Sequence, residues 1–311
     1  MRIVFMGSGE LGCPAVERLL ASPQDELVAV VTQPDRPRGR HLRLTACPVK
    51  QLATSRGVSV LTPEKCAAPE FVAQLAALRP DLIAVAAYGQ FLPRALLDLP
   101  THGVINVHPS LLPKYRGAAP IQWAITNGET ETGVSIIYLI EKMDAGDILA
   151  QAHMPIASAD TTATLSPRLA ALGAKLLLSA IEDIRAGVVK RTPQNDALAT
   201  RAPMLRKENG RLDWSQSAAT LHNRIRGFFP WPGCYFVWPH DSAKRVKVLK
   251  ASLETGSGEP GLILKTAAHG LIVATGRAAL CLAEVQPEGK QPMSATAFSN
   301  GARLRVGDRL G

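Results

Sequence analysis

The sequence predicts a doubly wound, mostly parallel α/β sheet of Rossmann-like type over residues 1–189. A small antiparallel β-barrel of OB-like type follows over 207–311, with a linker at 190–206. Three observations carry this. Apolar runs alternate with helical patterns through the first half. Short strands separated by turn residues follow from about Asn209. The charge also changes: residues 1–189 hold 17 Lys+Arg and 17 Asp+Glu, whereas 190–311 hold 18 and 9, so the second part carries the whole +9.

The runs at 2–6, 27–32, 58–61, 81–86, 103–107 and 133–138 are mostly apolar on both faces and rich in Val and Ile, as in strands covered by helices on two sides. Helical patterns at 13–21, 48–56, 69–78 and 92–98 lie between them. A longer helix carries Leu165, Leu169, Leu172 and Leu176 at three- and four-residue spacing. The polar stretch around Pro193 and the Ala202-Pro203 step read as linker. Strands are then expected at 235–238, 246–251, 261–266, 270–275 and 279–285, punctuated by turns such as Gly256-Ser257-Gly258 and His269-Gly270. Trp214 and Trp231 are expected in the core.

No apolar run reaches the ~18 residues of a membrane helix, and the start lacks a signal peptide's long apolar stretch, so a cytoplasmic protein without membrane attachment is expected. The five cysteines are scattered, odd in number and without Cys-x-x-Cys, which argues against a disulfide framework or structural zinc. The basic second part suggests a polyanionic partner, most simply nucleic acid; a merely soluble basic surface is the alternative.

Gly7-Ser8-Gly9-Glu10-Leu11-Gly12 matches a dinucleotide-binding turn between strand and helix. The acid expected to close the second strand is offset, however, behind Gln33-Pro34, and Glu10 would face the phosphates. A tight packing turn is the simpler reading. The richer signal is Asn106-Val107-His108-Pro109-Ser110-Leu111-Leu112-Pro113. Asn106 and His108 alternate onto one face of a strand near its carboxyl end, where α/β sheets bind ligands. An amide donor beside an imidazole suits acyl transfer, in which a carbonyl oxygen gains negative charge. Asp144 could stabilise the imidazolium, with Asp147 as the competing carboxylate. Ser110 as nucleophile fails, because no G-x-S-x-G elbow surrounds it.

These segments, with Arg116-Gly117-Ala118-Ala119-Pro120-Ile121 and Met143-Asp144-x-Gly146-Asp147, resemble the folate-dependent formyltransferases. The resemblance implies Asn106, His108 and Asp144 as catalytic residues, with 10-formyltetrahydrofolate as co-substrate and no metal. It implies a folate site at Ser110, Leu111, Leu112 and Pro113, and a pterin-lining loop at Tyr88, Gly89, Gln90, Phe91 and Leu92. Residues 205–214 and the Arg224-x-Arg226-x-x-x-Pro230-Trp231-Pro232-Gly233 segment look like the carboxy-terminal domain of the branch acting on initiator methionyl-tRNA. The implied tRNA contacts are Arg36, Arg38, Arg40 and Arg43 in a long basic loop, with Arg206 at the end of the linker and Lys207 just beyond it, on a monomer. Rival readings are a formyltransferase acting on a sugar nucleotide, a formyl-folate hydrolase, an NAD-dependent oxidoreductase using the glycine turn, and a non-enzymatic RNA-binding protein.

Overall fold

The computed structural model describes residues 1–38, 43–238 and 241–311. It divides into two compact units: Met1–Pro120, Glu131–Pro155 and Ser166–Ala202 form one, and Ile121–Thr130, Ile156–Leu165 and Pro203–Gly311 the other.

The first unit is built on β1 (Arg2–Gly7), β2 (Glu26–Val31), β5 (Val60–Leu61), β6 (Leu82–Ala86), β7 (Val104–His108), β8 (Glu131–Tyr138) and β9 (Ile148–Pro155). Among the described residues these make a seven-stranded sheet in the order β5-β2-β1-β6-β7-β8-β9, parallel as far as β7 and antiparallel beyond it. The strand order reverses between β1 and β6, which opens a crevice at their carboxyl ends. Helices α1 (Cys13–Ala21), α2 (Pro48–Ser55), α3 (Pro69–Ala77) and α4 (Arg94–Leu97) fall where the sequence predicts them. The edge strand β9 is an addition, as is α5 (Pro120–Thr126), which belongs from Ile121 onward to the second unit. The long loop after β2 contains a hairpin of β3 (Arg36–Arg38) and β4 (Arg43–Thr45).

Val4, Met6, Ile83, Val85 and Val104 pack with Phe71, Leu75 and Leu96 of α3 and α4 in one buried cluster. Val107 and Val134 meet α6 (Thr162–Arg185), at Gly173, whose Cβ would stand 2.7 Å from Val107 Cγ1. The buried line of α6 in this unit therefore runs Leu169, Gly173, Leu177, Ile181 and Ile184. Leu172 and Leu176, expected on that line, are only half-buried, because the smallest residue lets the helix approach the sheet. By length and composition α6 could cross a membrane, with mean hydropathy 1.2. Its exposed Arg168, Lys175, Glu182 and Asp183 give it instead the two-sided character of a core helix.

The second unit holds α7 (Ala218–Gly227), β10 (Cys234–Trp238), β11 (Asp241–Glu254), β12 (Ile263–Ala267), β13 (Gly270–Ala274), β14 (Ala279–Pro287), β15 (Met293–Ser294) and α8 (Ala295–Gly301). The antiparallel order is β10-β11-β14-β13-β12, with β15 on β14. The last residues connect the two ends of this path. Gly307 N donates to Ile263 O, Leu310 N to Gly261 O, and Val237 N to Gly311 O, each at 2.9 Å. Trp214 is buried against Phe236, as expected, but Trp231 is 51% exposed. Trp231 lies in the turn between two cis X-Pro bonds, Phe229-Pro230 and Trp231-Pro232, ahead of β10.

Candidate active site

Strand alternation decides which side chains meet. Val107 turns toward α6, so Asn106 and His108 share the opposite face with Val104. His108 is buried and Asn106 is half-buried. His108 Nε2 lies 2.9 Å from Tyr115 O. A carbonyl only accepts, so Nε2 carries a proton and Nδ1 is the nitrogen turned to Asp144, 3.7 Å from Oδ2. That is an ion-pair distance, longer than a direct hydrogen bond. Asp144 has φ +48°, a left-handed conformation that Asp tolerates better than most residues, and its Oδ2 accepts Gly117 N at 2.8 Å. Asp144 is thus the carboxylate facing His108. Asp147 serves β8, its carbonyl accepting Tyr138 N.

The Ser110–Pro113 turn has a cis Leu112-Pro113 bond and is held from beneath. Ser110 is fully buried and its Oγ donates to Lys114 O at 2.7 Å. Ser135 of β8 donates to Ser110 O and accepts Leu112 N, and Gln151 of β9 donates to both Leu112 O and Ser135 Oγ. Sequence reasoning missed Ser135 and Gln151. Their signal was a lone hydroxyl in the apolar run 133–138 and an amide in an unassigned strand.

A cavity of about 900 Å³ is lined by Leu97, Val104, Tyr138, Leu139, Ile140 and Glu141, among others. Val104 lies at the amino end of β7 and Leu139 just past β8, and Asn106, His108 and Asp144 are not among the residues that line the cavity. Its volume suits a small-molecule ligand, a class that takes ~300–1,000 Å³.

In the 87–92 loop, Tyr88 and Leu92 are buried in the core cluster. Gln90 braces the neighbouring loop, accepting Cys66 N at 2.8 Å and donating to Glu64 O at 3.2 Å. Gly89, at φ +87°, follows Tyr88, whose carbonyl accepts Gln33 Nε2, and the Phe91 ring is 61% exposed. In the basic loop Arg36 pairs with Glu64, and Lys50 with Asp35 at the base of the hairpin. Arg38 and Arg43 are register partners in β3 and β4. Arg40 lies outside the described residues. Arg206 and Lys207 are exposed residues of the second unit. In the glycine turn, a Cβ on Gly7 would stand 2.5 Å from Ala86 O, and one on Gly12 3.0 Å from the Phe5 ring. Both glycines answer to packing. Among the described residues, no group of three or more His, Cys, Asp or Glu is placed to hold a metal.

The formyl transferase family matches residues 1–181, and its C-terminal domain matches 204–303. The chain belongs to the formyltransferase family. It is 47% identical to the methionyl-tRNA formyltransferase of Myxococcus xanthus, over 99% of this chain and 97% of that protein. It is 44% identical to that of Geobacter metallireducens, over 100% and 99%. Two solved structures share the fold. WlaRD, a sugar 3N-formyl transferase, has a TM-score of 0.68 at 16% identity, covering 94% of this chain and 99% of that one. HypX from Aquifex aeolicus, solved with tetrahydrofolic acid, has a TM-score of 0.63 at 20% identity. The match covers 98% of this chain, which spans about half (48%) of HypX.

Proposed function

We propose that this formyltransferase moves the formyl group of 10-formyltetrahydrofolate onto the α-amino group of initiator methionyl-tRNA. The observation that carries this is Asn106 and His108 on one face of β7 with Asp144 set against His108, in a chain alike over its full length to relatives named for that reaction. The folate supplies the formyl group, its pterin lying against the 87–92 loop. The amine nitrogen forms a bond to the formyl carbon while the bond from that carbon to N10 breaks. Asn106 donates its amide N–H to the formyl oxygen as negative charge builds there. His108, oriented by Tyr115 O and protonated on Nδ1, adds positive charge beside it. Asp144 stabilises the imidazolium, accepts the proton released by the attacking amine and returns it to N10. The basic loop and the basic second unit meet the tRNA phosphates.

Transfer tested side by side on charged initiator tRNA, a nucleotide-linked amino sugar and water decides the acceptor. Formylated methionyl-tRNA alone is expected, with a yield that falls as salt rises. Formylation of the sugar alone, or release of free formate alone, would overturn the reading.

A further inference from the structure

Residues 190–202 run across the first unit as a strap, extended except for a 3₁₀ turn at Asp196–Leu198. Thr192 exchanges backbone hydrogen bonds with Ile148, and nearer the strap's end Arg116 N donates to Thr200 O while Ala202 N donates to Arg116 O. Between these anchors lies Gln194. Its Nε2 donates to Asp144 O at 2.8 Å and to Gly146 O at 2.7 Å. Its Oε1 accepts from Arg116 Nε at 3.0 Å and Nη2 at 2.8 Å. Carbonyls only accept and a guanidinium only donates, so the amide fits in one orientation, with both N–H groups engaged. Arg116 has a side chain only 10% exposed, and its Nη1 pairs with Asp196, which also pairs with Lys142. The strap therefore grips the 142–146 turn at two points.

The same strap reaches the other half of the trio. Thr200 Oγ1 accepts Tyr115 N at 2.8 Å, and Tyr115 O is the group that orients His108. Tyr115 and Asp144 both sit at positive φ, +64° and +48°, conformations that persist in non-glycine residues only when their surroundings hold them. Gln194 and Thr200 supply that hold, one on each side of the 3.7 Å gap between His108 and Asp144.

We infer that Gln194 is a positioning residue for formyl transfer: by holding the carbonyls of Asp144 and Gly146 it sets the Asp144 carboxylate against His108. This rests on the assignment of Asn106, His108 and Asp144 to the chemistry. Gln194 touches no substrate in this role, so its effect belongs in turnover rather than affinity.

The test uses Gln194→Glu in the full-length protein. The variant keeps the shape and the acceptor for Arg116, and replaces the nitrogen that supplies both donors with one oxygen facing the two carbonyl oxygens. Misplacing a reacting group by ~1 Å can cost ~10²-fold. The expected result is a kcat lower by about 10- to 100-fold, with KM for folate and tRNA changed by less than about twofold. Asp144→Asn is assayed in parallel. If Asp144→Asn turns over normally, the assignment of the trio fails. If Asp144→Asn is inactive while Gln194→Glu keeps its kcat, or loses only affinity, the positioning role alone fails. Should Gln194→Glu not fold, Thr200→Val and Thr200→Ser address the same strap. Val removes the acceptor for Tyr115 N and Ser retains it, so a kcat loss in Val that Ser rescues supports the inference, and equal turnover in the two overturns it.

Discussion

The loop after β1 and the loop after β7 both leave the carboxyl edge of the same sheet, and their polar groups are arranged differently. After β1 the bonding groups of Ser8 turn inward while Glu10 faces solvent: Ser8 N donates to Ala87 O, Ser8 Oγ accepts Gln33 N, and Gly7 and Gly12 admit the neighbouring backbone and the Phe5 ring. After β7 the arrangement stays open: Asn106 is half-buried, and His108 and Asp144 stand 3.7 Å apart, close enough to couple without closing on each other. The glycine spacing that looks most like a nucleotide motif is thus a packing requirement. The chemistry we propose falls instead where polar groups converge and are held from behind.

The largest effect that tests this contrast is on Asn106. Asn106→Ala is expected to lower kcat by ~10²–10³, as removal of one oxyanion donor does elsewhere. Because the trio acts as a unit, Asn106→Ala with His108→Ala should cost far less than the product of the two single losses. Steady-state rates on charged tRNA measure this, and a single loss below tenfold would break the contrast.

Next come the glycines. Gly7→Ala forces a methyl against Ala86 O at 2.5 Å, an overpacking expected to destabilise by about 1–3 kcal/mol in urea unfolding. Gly9 has ordinary extended angles, φ −82° and ψ 162°, and its Cβ would meet only Ala87 Cβ, at 3.4 Å. Gly9→Ala should leave both stability and turnover unchanged. A loss of activity in Gly9→Ala with stability intact would return that turn to ligand binding.

The last effect, confined to stability and to its pH dependence, is at Asp25, in the turn before β2. Burial pushes its carboxyl up, but hydrogen bonds from Arg185 and Ser22 and from the amino group of Met1 outweigh this and hold it below the ordinary range. A folded value below the unfolded ~3.9 means that the contribution is complete above about pH 4 and is lost as pH falls through the folded value. Asp25→Asn should therefore unfold at a lower temperature than the parent at pH 7, by an amount worth about 1–3 kcal/mol. The gap should close on acidification below pH ~4 while activity at pH 7 is unchanged. A gap that persists at low pH would contradict the ion-pair account.

How much of this was legible in the sequence depended on whether the signal was local. β1, β6 and β7 announce themselves as apolar runs with both faces covered, and Asn106 with His108 follows from strand alternation alone. β9 was missed because an edge strand with alternating exposure and a terminal proline resembles a loop. α7 carries a Ser217 N-cap and buried Leu221 and Ile225, but its polar surface and the strand-rich stretch after it hid that short pattern. Residues 190–202 show only polarity and prolines. Gln194 bonds to Asp144 and Arg116, which are 50 and 78 positions away, and no window of sequence contains those partners.

The closing residues of the barrel have a bearing on behaviour at high concentration. β10 and β12 are the two ends of an antiparallel strand path, and residues 307–311 hydrogen-bond to the outer side of each. An uncovered strand edge is a row of unmet donors and acceptors that another molecule can extend. Those five residues act as a selvedge, finishing both borders of the sheet so that it does not continue into a neighbour. Trimming them would free the pairing groups of Ile263 and Val237 in one cut, leaving the outer side of β10 with its bond from Leu212 N to Tyr235 O, and the damage would be felt first in solubility.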